Sequence, residues 1–488
     1  MTTPSSRIVT KQPQGIYYLA LVCLWERFSY YGLHALLILY IAKTFGITDT
    51  ETYAIYGAYG ALVYTTPVLG GYLADRFIGC YHAMIIGALF IALGHFIVAI
   101  PSLVHQYFYL GLTCIIIGTG LFRPNLASVT GFLYQKNDLR RDGGFALVYI
   151  GGNLGTVIAP ILSAYIALRF SWLLAFALAG IGMLVGLAVF ISARKNWDNK
   201  AFTPAARKIR QHNKCNLLWF IGIIAILLWI VNFSMNHIQL VSILLYAMGL
   251  FTFSLLLFLT FKNQGDERRA MLLVIILTIF YVVFMALLQQ SGGMLNLFTD
   301  RYINRDWLQW TIPTGMFQSV EPLFVVLLGP LYNLLWQRLS TKKITISYPI
   351  KFVLGLFIMG LAFLLLIVAM QFIGTNNQID MWWINASYFL QAASELFIGP
   401  IGLSMIAALI PQRFIGLFMG AWVLASAFAN FLAAKIGALT SPTHMVLTTL
   451  AKADALNAYT TTFYYLTGLA LFAVVLLILL IPLLKKYA

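Results

Sequence analysis

At 488 residues, 61% hydrophobic and only 9% charged, with mean hydropathy +0.86, the chain falls outside the soluble globular class. Its net charge of +16 would suit nucleic acid, but the basic residues gather in alternate loops, as cytoplasmic segments of membrane proteins do. Four cysteines (Cys23, Cys80, Cys114 and Cys215) lie in or beside apolar segments without paired spacing, which argues against a disulfide framework or a metal site.

The N-terminus is short and polar, with no cleavable signal pattern. Fourteen apolar segments follow, at about 16–42, 52–74, 81–101, 106–134, 144–168, 171–193, 216–235, 238–261, 270–299, 311–336, 349–374, 382–410, 415–438 and 457–484. An even number puts both termini on one side. The linker Arg194–Lys214 carries seven Lys or Arg against one Asp, and Arg7, Lys11, Lys485 and Lys486 share its face, so that face is expected to be cytoplasmic. Segments seven and eight are apolar almost throughout and follow the basic linker. They are expected to be an extra hairpin (residues 215–262) between a six-helix bundle at 1–193 and another at 263–488. The fold class is therefore an all-α membrane protein of two six-helix bundles plus an inserted hairpin.

The first segment contains Leu24-Trp25-Glu26-Arg27-Phe28-Ser29-Tyr30-Tyr31-Gly32. A charge at the centre of a membrane helix costs roughly 2.5–3.5 kcal/mol, so an adjacent acid and base need a reason. Helical spacing aligns Glu26 and Arg27 with Tyr30, Tyr31 and His34 in one polar stripe that cannot face lipid. The stripe reads either as an ion pair locking helices together or as one wall of a water-filled cavity for a charged solute.

Four later places carry similar chemistry. Asp75 and Arg76 stand in a glycine-flanked turn where segment two leaves the membrane, suited to a gate or to a plain loop pair. Arg123 precedes Pro124 in segment four, where the proline frees a backbone carbonyl and the guanidinium can satisfy it or clamp a carboxylate; Asn153 follows among glycines. Glu321 precedes Pro322 at the start of segment ten. Glu395 lies in Ser394-Glu395-Leu396-Phe397-Ile398-Gly399-Pro400, ahead of Trp422 and Asn430. A solute with separated charges suits such a lining, with Arg27 and Arg123 at one end and Glu395 at the other. No Walker loop, metal spacing or nucleophile grouping occurs, which argues against an enzyme and against ATP-driven transport by this chain.

Together these residues resemble the proton-dependent oligopeptide transporter family of the major facilitator superfamily, nearly end to end. Glu26 to Tyr31 matches the Glu-Arg-Phe-x-Tyr-Tyr part of the family's first-helix motif. Gly118–Tyr134, Arg140-Arg141-Asp142-Gly143-Gly144-Phe145, Gln290–Phe298, Glu395–Ser404 and Gly420–Asn430 resemble further family motifs in order, and the hairpin is what bacterial members carry. The resemblance implies a monomeric importer of di- and tripeptides in a bacterial inner membrane, driven by the proton gradient without a cofactor or a nucleic-acid partner. It implies that Arg27 and Arg123 meet the peptide carboxylate and Glu395 the amino end. Tyr30, Tyr31, Tyr64, Asn153, Gln290 and Trp422 would line the pocket, and Asp75 and Arg76 would belong to the cytoplasmic gate.

Three positions depart from the family pattern. Cys23 stands where the motif begins with Glu, Arg123 where the fourth helix has Lys, and Glu321 where an Asn precedes the proline. A thiol does not replace an ionised carboxylate at neutral pH, and arginine keeps its proton. Coupling is thus expected to shift from this region to Glu321 or Glu395, with Glu26 the remaining acid of the first helix. The alternatives are a peptide facilitator with weakened coupling, or a carrier of another small carboxylate-bearing metabolite.

Overall fold

Polar interruptions in the sequence become the ends and breaks of helices. In a computed structural model of the chain, residues 11–100, 105–135, 138, 140–197, 214–342, 346–374, 378–441 and 449–484 are described. Most of the basic linker (198–213), together with Arg7, Lys343, Lys485 and Lys486, lies outside them.

The first bundle is α1 (Gln14–Thr44), α2 (Asp49–Leu73), α3 (Gly79–Val98), α4 (His105–Phe132), α5 (Arg141–Arg169) and α6 (Trp172–Ser192). Thr48 starts α2 with a capping box, exchanging bonds with Glu51. Between α2 and α3 the chain makes one π turn, Ala74–Ile78, and reverses at Gly79, whose φ of 76° a side chain would resist. The hairpin is α7 (Lys214–Asn236) and α8 (Ile238–Lys262). It straddles the two bundles: α7 packs on α2 and α4, while α8 packs on α2 and on two helices of the second bundle, α9 and α15.

That second bundle comprises α9 (Gly265–Leu288), α10 (Met294–Tyr302), α11 (Val320–Thr341), α12 (Tyr348–Ala369), α13 (Met381–Ile398), α14 (Ile401–Leu409), α15 (Ile415–Gly437) and α16 (Thr449–Leu484). The sequence reads α9 with α10, and α13 with α14, as single apolar segments. The structure breaks the first at Gln289–Gly293 and the second at the Gly399-Pro400 step that the sequence flags. Among the described residues, twelve stretches are long and apolar enough to cross a bilayer. One of them, Asp49–Val98, holds both α2 and α3; α1, with two charges at its centre, adds the fourteenth crossing.

The bundles meet on the face opposite the termini. There α2 lies against α15, with Gly57 directly beneath Ala434. Ser319 donates to Val157 O at 2.6 Å and Asn296 Nδ2 donates to Ala35 O at 2.9 Å, joining second bundle to first. Two charged clasps close the rim. Lys43 donates to Asp300 at 2.8 Å, and Arg301 holds Asp49 through two bonds of 2.5 and 2.8 Å. Above them, β1 (Ile303–Asn304) pairs in parallel with β4 (Ile379–Asp380). A small hairpin, β2 (Asp306–Trp307) and β3 (Trp310–Thr311), turns through Leu308 and Gln309 at φ 47° and 64°.

The Asp49–Arg301 clasp should bias the closed rim without determining it, because a partly exposed pair contributes about 0.2–1 kcal/mol, up to roughly a five-fold population change. In D49R, spin labels at Thr44 and Asn304 should show a larger long-distance population. D49R/R301D should restore the wild-type distribution; no change in D49R would deny the clasp this role.

Candidate functional site

The site is built outward from Glu26, whose carboxylate is only 3% exposed. Its Oε1 accepts from Arg123 Nε at 2.8 Å, and its Oε2 lies 3.6 Å from Arg27 Nε. Arg123 also lies 4.2 Å over the Tyr30 ring, a cation–π contact that holds the guanidinium flat against α1. Burial of this kind demands partners, and one carboxylate between two guanidiniums supplies them. Arg123 thus spends its charge on Glu26, whereas Arg27, in looser contact and 36% exposed, faces open space. The ion pair that the stripe suggested is present, and Arg27 also borders a cavity.

The approach of α5 to α1 makes this possible. A methyl added to Gly151 or Gly155 would fall about 2.3 or 2.2 Å from the Ala20 and Leu24 carbonyls, so only glycine allows the contact. The same turn of α5 sets Gly152 and Asn153 beside Cys23 and Arg27.

A cavity of about 200 Å³ opens there. The first bundle contributes Cys23, Arg27 and Tyr31 from α1 and Tyr149, Asn153 and Thr156 from α5; the second contributes Glu321 and Pro322 from α11 and Glu395 from α13. A neighbouring cavity of about 140 Å³ shares Tyr31, Glu321, Pro322 and Glu395 and adds His34, Tyr64, Gln318 and Tyr388. The two glutamates therefore stand together at the junction of the two cavities. A cation on one bundle and two acids on the other can hold a small solute by both ends. A larger cavity, about 440 Å³, lies between α8, α9 and α15, but its apolar wall offers nothing to a charged solute.

The sequence-derived set divides. Arg27, Tyr31, Tyr64, Asn153, Glu321 and Glu395 line the cavities. Tyr30, Arg123, Gln290 and Trp422 lie behind the walls. Arg123 turns its Nε to Glu26 rather than to the carbonyl freed by Pro124, and its Nη2 is buried without a hydrogen-bond partner. The Gln290 amide donates to Ala286 O and Ala433 O. Trp422 stacks on Tyr281 at 3.8 Å and abuts Gly402. Asp75 and Arg76 are exposed on the terminus-side face, where Asp75 accepts a long contact from Cys80.

Cys23, Tyr149, Thr156, Gln318 and Tyr388 join the walls without having been assigned to the site from sequence, and His34, a member of the polar stripe, joins them. Helical spacing carries the signal for several of them. Tyr149 and Thr156 sit four before and three after Asn153, Tyr388 is two turns before Glu395, and His34 is three beyond Tyr31. His34 is further held by Tyr56, whose hydroxyl is 2.8 Å from its Nε2.

A family model described as the POT family matches residues 81–458. Dipeptide and tripeptide permease A of Proteus mirabilis is 32% identical over 434 residues, covering 88% of this chain and 87% of that protein. Peptide transporter YePEPT of Yersinia enterocolitica is 32% identical over 502 residues, covering 98% and 96%. Among solved structures, a peptide transporter POT in complex with alafosfalin superposes with a TM-score of 0.83 at 30% identity, covering 98% of this chain and 96% of that one. The fold is that of the major facilitator transporters.

Removing the charge of Glu26 would leave two guanidiniums without their shared anion. Breaking such a buried pair costs about 3–5 kcal/mol, so E26Q should unfold at a clearly lower temperature in detergent. R27Q, which gives up a 3.6 Å contact at a wetter position, should cost less. Equal melting of E26Q and wild type would contradict the assignment.

Proposed function

The chain belongs to the POT family, and on that premise we propose that it is a secondary transporter that brings di- and tripeptides across a bacterial inner membrane by alternating access, driven by protons. The observation that carries this reading is the polarised cavity between the bundles, with Arg27 on one wall and Glu321 and Glu395 on the other. A peptide zwitterion has the complementary ends. Its carboxylate would meet Arg27 in a charge-assisted contact and its ammonium would meet the acids. Asn153, Tyr31, Tyr64 and Tyr149 offer hydroxyls and an amide to the bond between them.

Alternating access requires that one side be closed while the other admits solute. The closed rim lies opposite the termini; with the termini in the cytoplasm, this is the inward-facing carrier. Asp75 and Arg76, at the far ends of α2 and α3, are then placed for the cytoplasmic gate, closing when the bundles rock. One chain supplies both walls, so a monomer suffices for transport. The driving force is the proton gradient and no cofactor is needed.

Labelled dialanine and liposomes containing the purified protein test this reading. Uptake should exceed equilibrium under an inward proton gradient and be displaced by unlabelled di- and tripeptides. R27Q should weaken competition by roughly 10- to 100-fold, the worth of about 1.5–3 kcal/mol for a hydrogen bond to a charged group. Counterflow without accumulation would mark an uncoupled peptide carrier. No uptake and no counterflow from folded protein would refute peptide transport and favour another carboxylate-bearing solute.

A further inference from the structure

We propose that Glu321 and Glu395 work as one site that shares a single proton while peptide is bound, and that this is the proton carried with the substrate. The inference rests on the peptide reading above and identifies the coupling group within the same cavity.

The first argument is one of donors and acceptors. The two glutamates line both cavities together, and Glu321 Oε1 is buried with no hydrogen-bond partner in the protein. Ionised carboxylates only accept. Two acids on one cavity wall, one of them with a buried oxygen that lacks a donor, need a proton between them or a cation beside them. Such a pair takes up and loses its proton as a unit, so the proton belongs to neither residue alone.

Charge balance gives the second argument. In the first bundle Glu26 offsets one of Arg27 and Arg123, leaving one positive charge, which the peptide carboxylate answers. The peptide ammonium then faces Glu321 and Glu395. If both were ionised, the loaded chamber would carry a surplus negative charge at membrane depth, which is costly. One shared proton makes it neutral. Among the described residues lining either cavity, Arg27 is the one fixed cation; the other titratable groups around the pair are Cys23, Tyr31, Tyr149, Tyr64, Tyr388 and His34. The amides of Gln289 and Gln318 complete the second-bundle side.

Third, Glu26 is badly placed for the task. Each of its oxygens is engaged by a guanidinium, a group that cannot give or receive a proton in the working pH range. The acid pair has the opening that Glu26 lacks. A proton from the outer solution would bond to one carboxylate oxygen, remain while the ammonium is held, and pass to inner water once the peptide has left.

Proton uptake on binding is the direct test. Dialanine is added to the purified full chain in weak buffer; a pH dye counts the protons taken up, and calorimetry counts the peptide bound. Infrared difference spectra report any carboxylic acid formed. Above the pH at which the empty carrier has lost its acid band, the wild type should take up as much as one proton per bound peptide and regain a carboxylic-acid C=O band. E321Q and E395Q should each lose both signals per peptide bound, and E321D should recover them. Uptake and band unchanged in E321Q, or wild-type binding with neither at any pH where the carrier stays folded, would overturn the proposal. Should E321Q not fold, E395Q and E321D decide in the same way. If dialanine fails to bind the wild type, the peptide reading fails instead. The pair is then judged from the acid band of the empty carrier during a pH titration: loss in both variants supports it, and persistence in both refutes it.

Discussion

A carboxylate buried in the first bundle constrains everything around it. Glu26 cannot stay ionised at membrane depth without cations in contact, and the sequence provides two, one turn-mate on α1 and one from α4. Bringing Arg123 to 2.8 Å fixes α4 against α1, and Tyr30 lies under its guanidinium. The glycines of α5 then let a third helix come close enough to turn Asn153 beside Arg27. The direction of Arg27 is therefore a consequence of how Glu26 is satisfied. Had Arg123 been free, the cavity would have held two cations and no reason to prefer either.

Magnitudes separate what moves from what does not. The Glu26 cluster is buried, and breaking such a pair costs several times what an exposed pair contributes. Lys43–Asp300 and Arg301–Asp49 sit at the rim and are partly wetted. They can open and re-form within the energies available to a carrier, while the Glu26 lock stays shut. Rigid bundles with weak clasps at the edge are what rocking requires. The hairpin α7–α8 touches both bundles through apolar surface with little polar bonding, so it can ride along without opposing the motion.

Much of this was legible in the sequence because membrane physics writes large signals. Fourteen apolar runs, the basic linker and the charged stripe of α1 needed only hydropathy and helical spacing. Six of the proposed lining residues reach the cavities for the same reason: a polar group at membrane depth has few other places to go. The residues that stay behind the cavity walls share another cause. Arg123, Gln290 and Trp422 carry the right chemistry, but each is taken by a neighbour that sequence distance hides, Glu26 from 97 positions away, Ala433 from 143, and Tyr281 through a stack. A single sequence gives the face of a helix, not which of two arginines an acid will choose. The break at Gln289–Gly293 was missed although Gln-Gln-Ser-Gly-Gly interrupts the apolar run there, and the rim strands, two residues each, are too short for an alternating pattern to show.

The three departures from the family pattern now read as a single change. Cysteine at 23 removes a carboxylate beside Arg27, and glutamate at 321 adds one on the facing bundle, so the summed charge of the chamber is unchanged. Arginine at 123 keeps the positive charge while giving up any chance of neutrality. Had the acid at 23 been lost alone, Glu26 and Glu395 would have balanced the two guanidiniums and left no further acid in the chamber to hold a proton. Had the acid at 321 been gained alone, the chamber would have become more negative and the ammonium end of a peptide would have been over-compensated. Made together, the substitutions move one titratable group across the gap between the bundles. On the proposed reading, the first bundle is the fixed electrostatic anchor for the carboxylate end of a substrate, and protonation falls to the second bundle, whose two acids line the same cavities.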